Sequence, residues 1–225
     1  VLLGHLYKKA REWKLYPGEN PTASVKKPKL DNKVTELLSA DQVERLLKVL
    51  AEWPCRGTAS FVLIGLFTGL RTSEIRKLRW EHVNLERKTV NIVDPKGKES
   101  STIAISDQAV AVLKEIPVTS EHVIPGHDGG IKKTFREPWY RIRDAAGLPA
   151  NIRFHGLRHN HASWMVSSGI DLYTVSKLLN HKDVKTSTRY AHLSDESLRR
   201  AANIAGELLS RRSRDNAVTI ARKGT

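Results

Sequence analysis

A mainly α-helical fold with one small antiparallel β-sheet, an α+β domain, is predicted by three features of the sequence. Apolar residues recur at helical spacing in most segments. β-Branched residues crowd into two short runs only, KTVNIV (88–93) and STIAI (101–105). Capping residues and glycines punctuate the helical stretches along the whole chain. With 225 residues, 40% of them apolar, the chain is long enough for one sizeable core, or for one domain with a fragment of another.

The elements follow in order. Leu2, Leu3, Leu6, Ala10 and Trp13 fall at helical spacing, and YPGENPTASVKKPKLDNK (16–33) is a Pro- and Lys-rich basic linker. Seven Lys or Arg residues lie from Lys8 to Lys29 against Glu12 and Glu19. Ser39 with Gln42 forms a capping-box signature for a helix that stops at Pro54. Residues 58–67 read as a buried helix ending near Gly69, and 73–78 as a second short helix, which leaves Arg71 at the tight turn between them. The two β runs, separated by DPKGKES (94–100), form a hairpin with lysines at its tip. Ser106 and Asp107 open the next helix. KKTFREPWYRIRDAAG (132–147) gives another that is interrupted at Pro138 and closes at Gly147. HGLRHNHASWMVSSG (155–169) closes at Gly169, and Asp171 caps LYTVSKLLNH. DVKTSTRYAHL is a short helix, and Ser194 opens a last amphipathic helix running to Arg212.

Lys and Arg number 38 against 24 Asp and Glu, giving a formal net charge of +14 and a pI near 10.0, so polyanions lead as partners. The only cysteine, Cys55, cannot pair within the chain; it reads as a buried small hydrophobe in a reducing, cytoplasmic setting. The apolar run FVLIGLF (61–67) falls far short of the ~20 residues a membrane helix needs. The opening VLLGHLYKKAREW has neither the order of a signal peptide nor an initiator methionine, so it reads as a helix cut from something longer.

HGLRHNHAS (155–163) puts three histidines and an arginine together. His155 and His159 are four apart and share one helix face, as two zinc ligands do. Arg158 argues for a phosphate instead: a fixed cation beside a metal is repelled, and no carboxylate lies between Asp144 and Asp171 to offset it.

Five pieces stand in order: TGLRTSE, the lysine-tipped hairpin, HGLRH, LLNHKD and TRYAHL. Together they resemble the catalytic domain of the tyrosine recombinase (phage integrase) family, over residues 38–209. The resemblance makes 1–20 the end of an N-terminal core-binding domain, 21–37 a basic interdomain linker and 210–225 a basic C-terminal tail. By position it assigns catalysis to Arg71, Lys96, His155, Arg158, His181 and Tyr190, with Glu74 as a supporting acid. Ser100 and Ala104 depart from the family's usual hairpin, which keeps Lys98 as a rival to Lys96. His159 and His161 receive no family role and read as structural or DNA-proximal, and Trp164 and Met165 as core.

The implied activity is site-specific recombination: cleavage and rejoining of DNA through a 3′-phosphotyrosyl intermediate, integrating or excising a mobile element. It needs no cofactor and no metal. The implied partners are double-stranded attachment sites, a homotetramer on DNA, and accessory bending or directionality factors. The chemistry suits the residues. Two arginines can grip the non-bridging oxygens of a pentacoordinate phosphorus. His155 and Arg158, at i and i+3, reach one phosphate. Tyr190 attacks, its proton loss eased by cationic neighbours and a histidine acceptor, and Lys96 protonates the departing 5′-oxygen. This favours phosphate over metal at the histidine cluster. A type IB topoisomerase, a DNA-binding regulator with a decayed site and a histidine-rich metallonuclease are the rival readings. Taken singly, each residue also has a plain structural role open to it: an Arg71–Glu74 ion pair, a core Tyr190, a helix-capping His181.

Overall fold

The computed structural model describes residues 2–25, 37–93, 100–181, 186–194 and 203, and the chain divides into two compact units, Val1–Asn32 and Lys33–Thr225. The first unit holds helix α1 (Leu2–Glu12), on which Leu2, Leu3 and Leu6 are exposed. Tyr7 meets Tyr16 edge-on with ring centroids 5.3 Å apart, and Asn20 Nδ2 donates to the Gly4 carbonyl at 3.2 Å.

The second unit is mainly helical with one antiparallel sheet. It runs α2 (Ala40–Ala51), α3 (Arg56–Thr68), α4 (Thr72–Arg76), β1 (Val83–Asn84), β2 (Thr89–Val93) and β3 (Ser100–Ala104). After these come α5 (Asp107–Lys114), α6 (Arg136–Ala145), α7 (Phe154–Ser167), α8 (Leu172–Leu178) and a closing 3₁₀ helix (Thr188–Ser194). The caps read from the sequence form. The Gln42 N–H donates to Ser39 Oγ at 3.2 Å and the Ser39 N–H to Gln42 Oε1 at 2.9 Å. Ser106 accepts from the Ala109 N–H, and Asp171 from the Thr174 N–H.

The sheet has the order β1-β2-β3, with Val90 opposite Ile103 and Val93 opposite Ser100. The hairpin is therefore joined by a third strand that the sequence reading lacks: β1 pairs only Val83 and Asn84 with Val90 and Thr89, too short a run for a period-two pattern to register. The hairpin tip, with Lys96 and Lys98, lies outside the described residues. So does the expected last helix, apart from Ser194 and Asn203.

Four further expectations change. Helix α6 starts at Arg136, and Pro138 does not interrupt it, because it occupies the first turn, where a backbone N–H has no intrahelical acceptor to lose. The TRYAHL segment is 3₁₀. Cys55 is exposed, as the residue preceding α3, rather than buried. Trp164 is exposed on α7, while Met165 packs partly buried against a small apolar cluster.

Helix α3 carries buried residues on nearly all sides, which places it at the centre of the main core. Phe61 stacks on Phe135 with centroids 3.8 Å apart, and Phe154 meets Phe61, Phe135 and Trp139 at 5.3–5.7 Å. A Cβ on Gly65 would stand 2.6 Å from the Phe154 ring, so the missing side chain lets α7 approach α3. A second, smaller cluster of Ala162, Val166, Val175, Leu179 and Tyr190 lies between α7, α8 and the closing 3₁₀ helix.

Gly69 ends α3 in the left-handed conformation, φ 65°, and a Cβ there would lie 2.6 Å from Leu179 Cδ2 and 3.0 Å from His161 Cδ2. Both strain and space oppose a side chain. Gly69→Ala is expected to lose at least about 1 kcal/mol of stability, read as a lower urea midpoint; an unchanged midpoint would contradict this reading of the turn.

Candidate active site

Three chain reversals bring the candidate residues together. At the first, Gly69 turns the chain out of α3 and sets Arg71 immediately before α4. There the Arg71 backbone N–H and its Nη1 both donate to the Glu74 carboxylate, each at 2.7 Å. Glu74 is largely buried and Arg71 partly open, with side-chain exposures of 12% and 38%.

At the second, α7 presents its first two turns. His155 is exposed and opens into a groove of about 770 Å³ whose walls include Arg76, Lys133, Arg136 and Arg153. Arg158, one turn on, is only 3% exposed. Its Nη1 donates to the Gly69 carbonyl at 2.7 Å, its Nη2 donates to the Leu179 carbonyl, and Nη1 lies 3.9 Å from Glu74 Oε2. The guanidinium therefore ties the turn before Arg71 to the turn before His181. Asn160 beside it accepts the Leu38 N–H at 2.5 Å and donates to the Gly156 carbonyl at 2.8 Å, anchoring the chain that enters α2.

At the third, Asn180 adopts φ 50° after α8, a conformation asparagine tolerates, and the His181 N–H returns to the Ser176 carbonyl at 2.9 Å. His181 Nδ1 then pairs with Ser187 Oγ at 2.8 Å. Three residues beyond Ser187, Tyr190 is 1% exposed, and its hydroxyl lies 2.6 Å from His159 Nδ1.

Arg71, Glu74, His155, Arg158, His181 and Tyr190 thus share one neighbourhood in the second unit. Lys96 lies outside the described residues. His159 is one of the two histidines, with His161, that the sequence reading left without a family role; its position after Arg158 and four past His155 is the available signal, but its contact with a tyrosine 31 residues away is not. His161 is structural, its Nδ1 pairing with the Leu66 carbonyl at 3.1 Å. Among the described residues no group of three or more His, Cys, Asp and Glu side chains is arranged to hold a metal.

The site is a concentrated positive field. Loss of solvent, then the Arg71 charge, lowers the Arg158 guanidinium to about 10. Loss of solvent, followed by neighbouring His155, Arg189 and Arg158, holds His159 at about 4; burial, Arg158, Arg71 and Arg189 do the same to His181. His155 is pushed down from similar causes. Burial raises the Tyr190 phenol above its ordinary value; Arg189 and Arg158 pull it down, in the direction expected of cationic neighbours, but burial outweighs them in the free protein.

These depressed histidines set a pH dependence. The unfolded imidazoles titrate near 6.5, so between pH 6.5 and about 4 the unfolded state binds protons that the folded state excludes. Stability is complete above the unfolded value and falls as pH drops towards 4, by an amount reduced by screening at these half-buried rings. The urea midpoint is expected to be lower at about pH 5 than at about pH 7.5, and equal midpoints would refute the neutral, buried state of these rings.

A model of the phage integrase family matches residues 36–197, most of the chain. The chain belongs to the phage integrase family. Tyrosine recombinase XerC of Xanthomonas axonopodis pv. citri is 32% identical over 196 residues, covering 83% of this chain and 63% of that protein. Tyrosine recombinase XerD of Shewanella oneidensis is 30% identical over 193 residues, covering 78% and 63%. The chain spans less than two thirds of the length of both. The XerH site-specific recombinase, solved in a post-cleavage complex with palindromic difH substrate, superposes with a TM-score of 0.64 at 25% identity, over 78% of this chain and 54% of that one. A lambda integrase dimer bound to a COC′ core site shares the fold, with a TM-score of 0.63 at 19% identity over 84% and 56%. The tyrosine recombinase catalytic-domain fold expected from the motifs is the fold of this integrase-family chain.

Proposed function

We propose that this chain carries the catalytic centre of a site-specific DNA recombinase that cleaves and rejoins strands through a 3′-phosphotyrosyl intermediate, in the integration or excision of a mobile element. The observation that carries the reading is the convergence of Arg71, His155, Arg158 and His181 on the neighbourhood of one buried tyrosine hydroxyl. The scissile phosphate sits between Arg71 and Arg158. Arg158 still has N–H groups beyond the two given to carbonyls, enough for a phosphate oxygen. Glu74 orients Arg71, His155 and His181 donate to the phosphate oxygens, Tyr190 attacks the phosphorus, and Lys96 delivers a proton to the 5′-oxygen.

Double-stranded DNA as the partner is supported by the +14 net charge and by the basic groove that opens beside His155. XerH and lambda integrase were solved on DNA. The reading includes a homotetramer on paired attachment sites, accessory DNA-bending or directionality factors, and a cytoplasmic location; no helix among the described residues is long and apolar enough to cross a membrane. No cofactor or metal takes part.

The test begins with a duplex site recovered by selecting bound DNA from a random pool. A nicked suicide version, which traps cleavage, is expected to give an adduct that survives SDS and is unaffected by EDTA. A bound site that never yields an adduct would leave a DNA-binding regulator. Chelation that abolished cleavage, with zinc restoring it, would return the histidine cluster to a metal.

A further inference from the structure

We infer that His159 takes the phenolic proton of Tyr190 as the tyrosine attacks, acting through Nδ1 as the general base of the cleavage step. The inference rests on the proposed phosphotyrosyl chemistry and gives the histidine acceptor, which the sequence reading leaves unnamed, to one residue.

Geometry selects His159 from three nearby histidines. Its Nδ1 stands 2.6 Å from the Tyr190 hydroxyl, within the reach a proton transfer requires. His181 Nδ1 is engaged with Ser187 Oγ at 2.8 Å. His155 lies at the groove wall, and its ring meets that of His159 edge-on with centroids 4.8 Å apart. His155 and His159, at i and i+4, lie about 40° apart on one side of α7, with Arg158 about 60° to the other side of His155. His155 opens into the groove, Arg158 turns inward to the Gly69 and Leu179 carbonyls, and His159, one turn beyond His155, reaches the closing 3₁₀ helix that carries Tyr190. Tyr190 is held on its other sides by the small apolar cluster, so the hydrogen bond fixes where its oxygen points.

Chemistry selects the direction of the bond. Burial keeps the phenol protonated, so the hydroxyl has a proton to donate, and the inferred role requires the tautomer in which Nδ1 accepts it and Nε2 carries the imidazole proton. The titratable and charged groups around His159 are His155 and Arg158 on α7, Arg189 and Tyr190 on the closing helix, and His181 after α8. In the free protein the loss of solvent, and then the neighbouring His155, Arg189 and Arg158, make His159 a weak base. A DNA phosphate seated between Arg71 and Arg158 brings negative charge next to the imidazole and strengthens it when the proton must move.

The step balances. The Tyr190 O–H bond breaks and its proton passes to Nδ1; the phenolic oxygen forms a bond to phosphorus; the bond from phosphorus to the 5′-oxygen breaks; and Lys96 supplies the proton to that oxygen. In rejoining, the 5′-hydroxyl gives its proton back to Lys96 as its oxygen bonds to phosphorus, the bond from phosphorus to the tyrosine oxygen breaks, and His159 returns its proton to the departing phenolate.

Three measurements on the whole chain test the assignment. In the free protein, ¹⁵N NMR of the His159 ring is expected to show Nδ1 unprotonated and Nε2 protonated; a protonated Nδ1 would overturn the inference without any DNA. On the suicide duplex, His159→Ala is expected to form adduct about 10²–10⁴-fold more slowly than the parent chain while still binding DNA. Added imidazole should restore part of that rate, as it does not for a merely structural loss. His159→Asn, which retains an acceptor near Nδ1 but cannot take the proton, should stay as slow as His159→Ala; recovery of the parental rate by Asn would leave only a positioning role. If the parent chain itself forms no adduct, the phosphotyrosyl reading fails. If it does and the His159 variants match it, only this inference fails.

Discussion

Tyr190→Phe is expected to abolish covalent adduct formation while leaving binding to the duplex site intact. The substitution removes one oxygen, the atom proposed to attack phosphorus, and keeps the ring that packs with Val166, Val175 and Leu179. The other loss is the hydrogen bond to His159, a cost of about 0.5–1.5 kcal/mol. Far-UV circular dichroism should be unchanged, and the urea midpoint should move only slightly. An adduct formed by the Phe variant would place the nucleophile elsewhere and remove the basis for assigning a base to His159. The free hydroxyl should also resist titration: because burial outweighs the neighbouring arginines, its ultraviolet ionisation step belongs above the ordinary tyrosine value. A step below that value would mean that cations, not burial, dominate.

The parts of this protein legible in the sequence were those set by local chemistry. Capping at Ser39, Ser106 and Asp171, the Gly69 helix end and the β2-β3 hairpin each depend on residues a few positions apart, so periodicity and turn chemistry reach them. Bringing Arg71, Arg158, His181 and Tyr190 together depends on tertiary packing, and order along the chain suggested it only through likeness to a family. What stayed hidden depends on distant partners or on net burial. His159 finds its tyrosine across α7 and the closing helix. The sign of the Tyr190 shift follows from how much protein covers the ring, which no spacing reports. Helix α7 itself gives a weak amphipathic signal because it packs on two sides, against α3 and against the closing helix, so Trp164 could not be told from its buried neighbours.

Arg158→Ala is expected to damage both the reaction and the fold, and this separates it from Arg71→Ala, although the two arginines share the phosphate in the proposed mechanism. Losing one preorganised donor to the transition state lowers the cleavage rate by about 10²–10³ for either variant. Their stabilities should diverge. Arg71 is partly exposed and its ion pair with Glu74 contributes no more than about 1 kcal/mol, so its alanine variant should unfold near the parental midpoint. Arg158 is buried, and its removal strands the Gly69 and Leu179 carbonyls, while Glu74 keeps its nearer partner Arg71 at 2.7 Å. A buried acceptor left without its donor costs about 1–3 kcal/mol. Arg158→Lys should not restore it, since one ammonium cannot reproduce the spread of a guanidinium across two carbonyls and a phosphate. The measurement is a pair of urea curves beside the two cleavage rates. Equal midpoints for the Arg71 and Arg158 alanine variants would show that the guanidinium at 158 does not hold the turns before Arg71 and His181 together, and that these turns keep their places by apolar packing alone.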